Sequence, residues 1–146
     1  MSTKPARPSR NQFRAFWPIA TRWADNDVYG HVNNVQYYAF FDTAVNGALV
    51  REGLLDIDGS PIVGLVVETT CTYFRSVAFP DLLEVGLAIE RIGSSSLTYR
   101  LAVFRSGEAD AAAAGRFVHV YVDRKSQRPV PLPAPLRRYA EGLVIP

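Results

Sequence analysis

Residues 33–51 read N-N-V-Q-Y-Y-A-F-F-D-T-A-V-N-G-A-L-V-R, and this stretch decides the architecture. Tyr37, Phe40, Phe41, Ala44 and Ala48 recur at the spacing of one helical face. Tyr38, Ala39, Val45, Leu49 and Val50 fill other angles, so the helix is apolar on most sides. A helix of that kind is buried, because a surface helix keeps one polar face. About 18 residues rising about 1.5 Å each span roughly 27 Å, enough to cross a small domain. Asn33 or Asn34 is a natural N-cap and Gly53 a natural stop.

Downstream the period changes from helix to strand. Residues 62–74 are rich in Val and Thr. Leu83, Val85, Leu87 and Ile89 alternate with Glu84, Gly86, Ala88 and Glu90. Leu97, Tyr99, Leu101 and Val103 alternate with Thr98, Arg100 and Ala102, and Gly93-Ser94-Ser95 marks the hairpin between the two runs. Residues 116–123 put Phe117, His119 and Tyr121 on one face and Val118, Val120 and Val122 on the other. Residues 13–23 also read as a strand, with Pro18 confining it to an edge or a bulge. Pro129, Pro131, Pro133 and Pro135 then interrupt regular structure, leaving room for a short helix at about 134–141. These elements predict an α+β domain, a curved antiparallel sheet of about five strands wrapped around the long helix. Such a sheet keeps edges and an open end, which a second copy of the chain covers.

The totals exclude several classes. A chain of 146 residues fits one domain, expected over 13–146 behind a loose basic tail at 1–12. A net charge of +2 gives no reason to expect nucleic acid as a partner. The single cysteine, Cys71, rules out an internal disulfide and a Cys-based zinc cage, and no metal or cofactor is expected. No apolar run approaches the roughly 18 residues of a membrane helix. No apolar signal core follows the basic N-terminus, so the expected location is the cytoplasm.

Between the first strand and the helix, residues 25–30 hold two aspartates, an asparagine and a glycine, the residues of a tight turn. Such a turn can swing Asp27 over the helix N-terminus, where free backbone N–H groups near Asn33 and Asn34 carry partial positive charge. A carboxylate beside such donors suits attack on a carbonyl, yet an Asp before a helix also serves as an ordinary cap or turn former.

The run R-W-A-D-N-D-V-Y-G-H-V-N-N-V-Q-Y-Y-A-F-F-D resembles the signature of hot-dog-fold acyl-CoA thioesterases of the 4-hydroxybenzoyl-CoA thioesterase type. The later I-G-S-S-S-L-T-Y and F-V-H-V-Y-V-D-R-K-S-Q-R-P-V-P-L-P resemble that family's second hairpin and last strand, so the likeness runs from about residue 13 to 133. The resemblance implies hydrolysis of an acyl-CoA thioester by a homodimer or homotetramer. It matches Asp27 to the catalytic carboxylate, as nucleophile or general base, and Asn34 to the residue whose amide polarises the carbonyl. His31 either orients Asp27, donates to the substrate, or is an imidazole bonded to backbone. Asp25 braces the turn or pairs with Arg22. Some thioesterases of this fold place their acid on the central helix, so Asp42 is a reserve candidate beside a structural salt bridge. His119, mid-strand between aromatics, reads as a satisfied core or interface histidine. Substrate-binding candidates are Tyr29, Asn33 and Tyr37 near the turn, and Arg75, Arg124 and Arg128 for the anionic coenzyme. Two alternatives stay open: a non-catalytic acyl-CoA-binding domain, and a thioesterase acting on acyl carrier protein. Hydratases of the same fold carry a different local pattern, which G-H-V-N-N does not resemble.

Overall fold

The computed structural model describes residues 5–145; the part of the expected tail at residues 1–4 lies outside them. Five strands form one antiparallel sheet: β1 (Ala15–Ala20), β2 (Ile62–Tyr73), β3 (Leu82–Ile92), β4 (Ser96–Arg105) and β5 (Ala113–Asp123). Their order across the sheet is β1-β3-β4-β5-β2. The long helix α1 (Asn34–Arg51) lies on the inner face, and the short helix α2 (Ala134–Glu141) follows the proline-rich segment. This is the sheet-and-helix arrangement expected from the patterning and the hot-dog fold that the resemblance implies.

Each expected element is present for a local reason. Asn33 caps α1 by accepting the Val35 N–H (3.0 Å), and Gly53 takes a positive φ of 72° just past its end. Pro18 sits in β1, an outer strand, where its missing N–H breaks no central ladder. The inward residues of the alternating strands, among them Leu83, Leu87, Leu97, Tyr99 and Leu101, are buried against Tyr37, Phe41, Ala44, Val45 and Ala48 of α1. Phe41 meets Phe117 edge to face at 5.7 Å.

The sheet covers most but not all of α1: Val35, Ala39, Asp42, Thr43 and Val50 are exposed in the single chain. One expectation changes: residues 5–12 do not hang free of the domain. The Arg10 N–H donates to Ala109 O (2.9 Å), the Ala111 N–H donates to Pro8 O (2.9 Å), and Arg10 pairs with Glu84 (2.8 Å). The Arg10 guanidinium also lies over the rings of Phe16 and Phe104, so a polar stretch is held by backbone pairing and cation–π contact. Among the described residues no helix is long and apolar enough to cross a membrane, and no cluster of His, Cys, Asp or Glu could hold a metal.

Candidate active site

A short 3-10 turn, Trp23–Asp25, leads from β1 toward α1. Asp25 is 1% exposed, and both its oxygens are occupied. Oδ2 accepts the Arg22 N–H (2.7 Å), while Oδ1 accepts Nε (3.0 Å) and Nη2 (2.7 Å) of the Arg22 guanidinium. The Asp25 carbonyl in turn accepts the Asn33 N–H (2.9 Å), tying the turn to the helix cap. Asp25 therefore braces the turn and pairs with Arg22 at once.

Asn26 and Val32 then pair as a bridge that closes a small loop over the helix start. The Asn26 side chain accepts the Phe79 N–H (3.0 Å), and the Val32 N–H donates to Val77 O (2.8 Å). Inside the loop the Asp27 N–H donates to His31 O (2.9 Å), and the Gly30 N–H donates to Asp27 O (3.0 Å). Gly30 adopts φ 82°, which a side chain would strain. This backbone fixes Asp27 in place and pushes Val28 and Tyr29 outward.

The half-buried Asp27 carboxylate has a different environment from that of Asp25. Its Oδ1 accepts the Tyr29 N–H (2.9 Å), and its Oδ2 receives only a long contact from Asn33 Nδ2 (3.4 Å). At the helix start Asn33 satisfies two amides: its Oδ1 takes the Val35 N–H and its carbonyl takes the Gln36 N–H (2.9 Å). The Asn34 N–H makes no hydrogen bond among the described residues. Asp27, Val32, Asn34, Tyr37, Tyr73 and Arg75 line one cavity of about 400 Å³. An under-occupied carboxylate and an unoccupied amide at the positive end of a helix thus share one space.

The phenols and the thiol near it are neutral. Burial pushes the Tyr37 phenol up to about 12 and the Cys71 thiol up to about 11, and raises Tyr73 beyond the ordinary phenol range. Tyr73 was not foreseen, although the Y-F-R-S run closing β2 was a signal. Its hydroxyl donates to the Asn34 carbonyl (3.1 Å), and its ring meets Tyr37 edge to face at 5.0 Å.

The remaining candidates scatter. His31 and Tyr29 are exposed beside the loop, and the His31 ring makes no hydrogen bond among the described residues. Arg75 lines the cavity and pairs with Glu108 (2.7 Å). Arg124 instead donates to the carbonyls of Ser60 (2.6 Å) and Ile57 (2.9 Å), at a second chamber near the C-terminal half of α1. Arg128 is exposed in the turn after β5. The three arginines therefore do not gather at the Asp27 cavity of one chain. Asp42 is exposed and accepts from Asn46 Nδ2 (3.0 Å); the expected salt bridge is absent among the described residues. His119 is buried, but neither ring nitrogen has a hydrogen-bond partner, so it is not the satisfied histidine expected.

A long helix wrapped by a five-stranded antiparallel sheet is the fold of the hot-dog thioester hydrolases. Residues 21–139 match the model of the thioesterase-like superfamily, and the chain belongs to that superfamily. The long-chain acyl-CoA thioesterase FadM of Escherichia coli (strain K12) is 26% identical over 127 residues, covering 86% of this chain and 96% of FadM. The crystal structure of the PA5185 protein from Pseudomonas aeruginosa strain PAO1 is 56% identical, with a TM-score of 0.93 over 95% of this chain and 97% of that one. Slr0204, a 1,4-dihydroxy-2-naphthoyl-CoA thioesterase from Synechocystis, shares the fold at 21% identity, with a TM-score of 0.78 over 90% of this chain and 98% of its own.

Proposed function

We propose that the chain hydrolyses an acyl-CoA thioester to the free acid and coenzyme A, with Asp27 as the reacting carboxylate. The observation that carries this reading is the shared cavity of the Asp27 carboxylate and the unoccupied Asn34 N–H. The thioester carbonyl oxygen accepts from Asn34 N–H, where the helix terminus stabilises the negative charge that develops. As a base, Asp27 takes a proton from water, the hydroxide adds to the carbonyl carbon, and the intermediate collapses by expelling the thiolate. As a nucleophile, Asp27 itself adds and expels the thiolate, leaving a mixed anhydride that water opens. The acyl-CoA class also accords with FadM, whose name records long-chain acyl-CoA thioesters.

Asn33 supports Asp27 through Nδ2, and Tyr37 and Tyr73 wall the cavity on its buried side. Tyr29 and His31, exposed at the rim, are placed to meet the pantetheine arm or the acyl group. Arg75 supplies a cation beside the cavity in the same chain, and Arg124 and Arg128 are the basic candidates for the coenzyme phosphates from a second chain.

The edge of the sheet supports a second chain. Strand β2 is an outer strand whose residues 65–70 are all exposed, with Leu65, Val66 and Val67 apolar among them. Unpaired strand groups beside apolar side chains invite pairing, and the uncovered side of α1 adds to the surface to be buried. Antiparallel pairing of two copies, centred on residues 65–70, sets Tyr73 opposite the partner's Ile62. A Val67→Lys chain should run as a monomer in size-exclusion chromatography with light scattering; an unchanged mass removes this interface.

Asp27→Asn tests the chemistry. Turnover of an acyl-CoA panel should fall by a factor of about 100 or more, the size of a lost base, with the fold intact by circular dichroism. Unchanged turnover removes Asp27 from the reaction.

A further inference from the structure

The least satisfied polar group in the described chain lies outside the Asp27 cavity. His119, on the inner face of β5, is 1% exposed, and both Nδ1 and Nε2 lack a hydrogen-bond partner. Its ring sits beside those of Tyr99 (5.4 Å), Phe117 (5.8 Å) and Tyr121 (6.4 Å). The buried hydroxyls of Tyr99 and Tyr121 lie near enough to influence each other's ionisation, yet neither meets hydrogen-bonding geometry. Buried polar groups in native proteins are paired as a rule, so unpaired ones in one place call for a partner.

A chamber of about 360 Å³ opens beside this histidine, lined by Leu49, Leu54, Ile62, His119, Tyr121 and Leu136. Helix α2 covers part of it through Leu136. On β2, Gly64 stands opposite Tyr121, and a Cβ there would come within 3.1 Å of His119 Nδ1 and 3.0 Å of Tyr121 Cζ. The missing side chain lets β2 pack closely against the His119 ring, which borders the chamber with both nitrogens buried. The walls are chiefly apolar, while Arg124 at the border already gives Nε and Nη2 to carbonyl oxygens. Burial holds the imidazole pKa down at about 4, so the ring is neutral, with one nitrogen donating and the other accepting.

We propose that this chamber binds the far end of a mainly apolar acyl group carrying a neutral hydroxyl or carbonyl oxygen, with His119 as the polar contact. The assignment rests on the acyl-CoA reading and the β2 pairing given above. Within one chain, the nine residue steps of α1 from Tyr37 to Asn46 separate the nearest helix residues of the two cavities by roughly 14 Å. Across the paired edge the two come together, because Ile62 lines the chamber and Tyr73 lines the Asp27 cavity. The acyl group thus reaches from Asp27 of one chain into the chamber of the other.

The chain has two histidines, one buried and one exposed, so the imidazole nitrogen spectrum separates them directly. Titration of the full chain with 1-octanol should shift the His119 signals saturably and leave those of His31 in place. Gly64→Ala, which narrows the approach to Nδ1 and leaves His119 itself unchanged, should weaken that response. In turnover, ω-hydroxyacyl-CoA should be preferred over the unsubstituted acyl-CoA of equal length, and His119→Leu should reduce the ratio of their kcat/KM values by about tenfold or more. No His119 response at saturating octanol, a response that Gly64→Ala does not weaken, or a ratio unmoved by His119→Leu overturns the assignment. Asp27→Asn separates the two proposals: it should abolish turnover and keep the His119 response. Turnover lost without any His119 response overturns the chamber alone, and a His119 response with turnover retained overturns the role of Asp27 alone.

Discussion

Asp25 and Asp27 stand two residues apart in one turn, and their carboxylates have little else in common. Asp25 is buried and receives three short hydrogen bonds, all from Arg22. Asp27 is half-buried, receives one short hydrogen bond and one long contact, and opens into a cavity beside an unoccupied helix amide. A carboxylate with its lone pairs filled stabilises a turn, whereas one with spare acceptor capacity can take a proton or attack a carbon. The sequence pattern D-N-D cannot assign these roles. They follow from which side of the turn each side chain leaves, and that is set by the bridge between Asn26 and Val32.

Substitution by the neutral isostere should separate the two. Asp27→Asn acts on the barrier: a loss of about 100-fold or more in turnover corresponds to roughly 3 kcal/mol of transition-state stabilisation, with little change in melting temperature. Asp25→Asn acts on the fold, because it weakens the hydrogen bonds that the buried carboxylate receives from the Arg22 N–H and guanidinium, while the exposed Arg22 side chain turns to solvent. A loss of about 2 kcal/mol is expected, the size of a lost hydrogen bond to a charged group. For a chain of this size the melting temperature should drop by roughly 4–8 °C in a calorimetric scan. If Asp25→Asn melts like the parent but loses turnover as severely as Asp27→Asn, the division of labour between the two is wrong.

How much of this was readable in the sequence depends on whether the decisive contact is local. Helix α1, its Asn33 cap, the alternating strands and the edge position of Pro18 all follow from residues within one or two turns of each other, and each is present. The hold on residues 5–12 comes from backbone groups near residue 110 and from rings on β1 and β4, which the polar segment itself does not announce. Arg124 and Arg128 follow the last strand closely, but that strand ends near the C-terminal half of α1, away from Asn34. Alternation grouped His119 with Phe117 and Tyr121 on one face, and all three are buried. The histidine's lack of a partner depends on what surrounds the ring, including Gly64, far away in sequence, and no periodicity carries that information.

Asn33 links the two halves of the comparison and gives the smallest of these effects. Its backbone N–H donates to the Asp25 carbonyl, its Oδ1 caps α1, and its Nδ2 makes the long contact to Asp27. Asn33→Ala removes the cap and the contact together, and should lower stability by about 1 kcal/mol along with a modest loss of turnover. Asn33→Ser separates the two, since a serine hydroxyl can cap the helix but is too short to reach Asp27. Stability should then return to near the parent value while turnover stays reduced. Were turnover to recover with stability, the Nδ2 contact would have no part in holding the carboxylate, and Asn33 would belong with Asp25 as a brace of the turn.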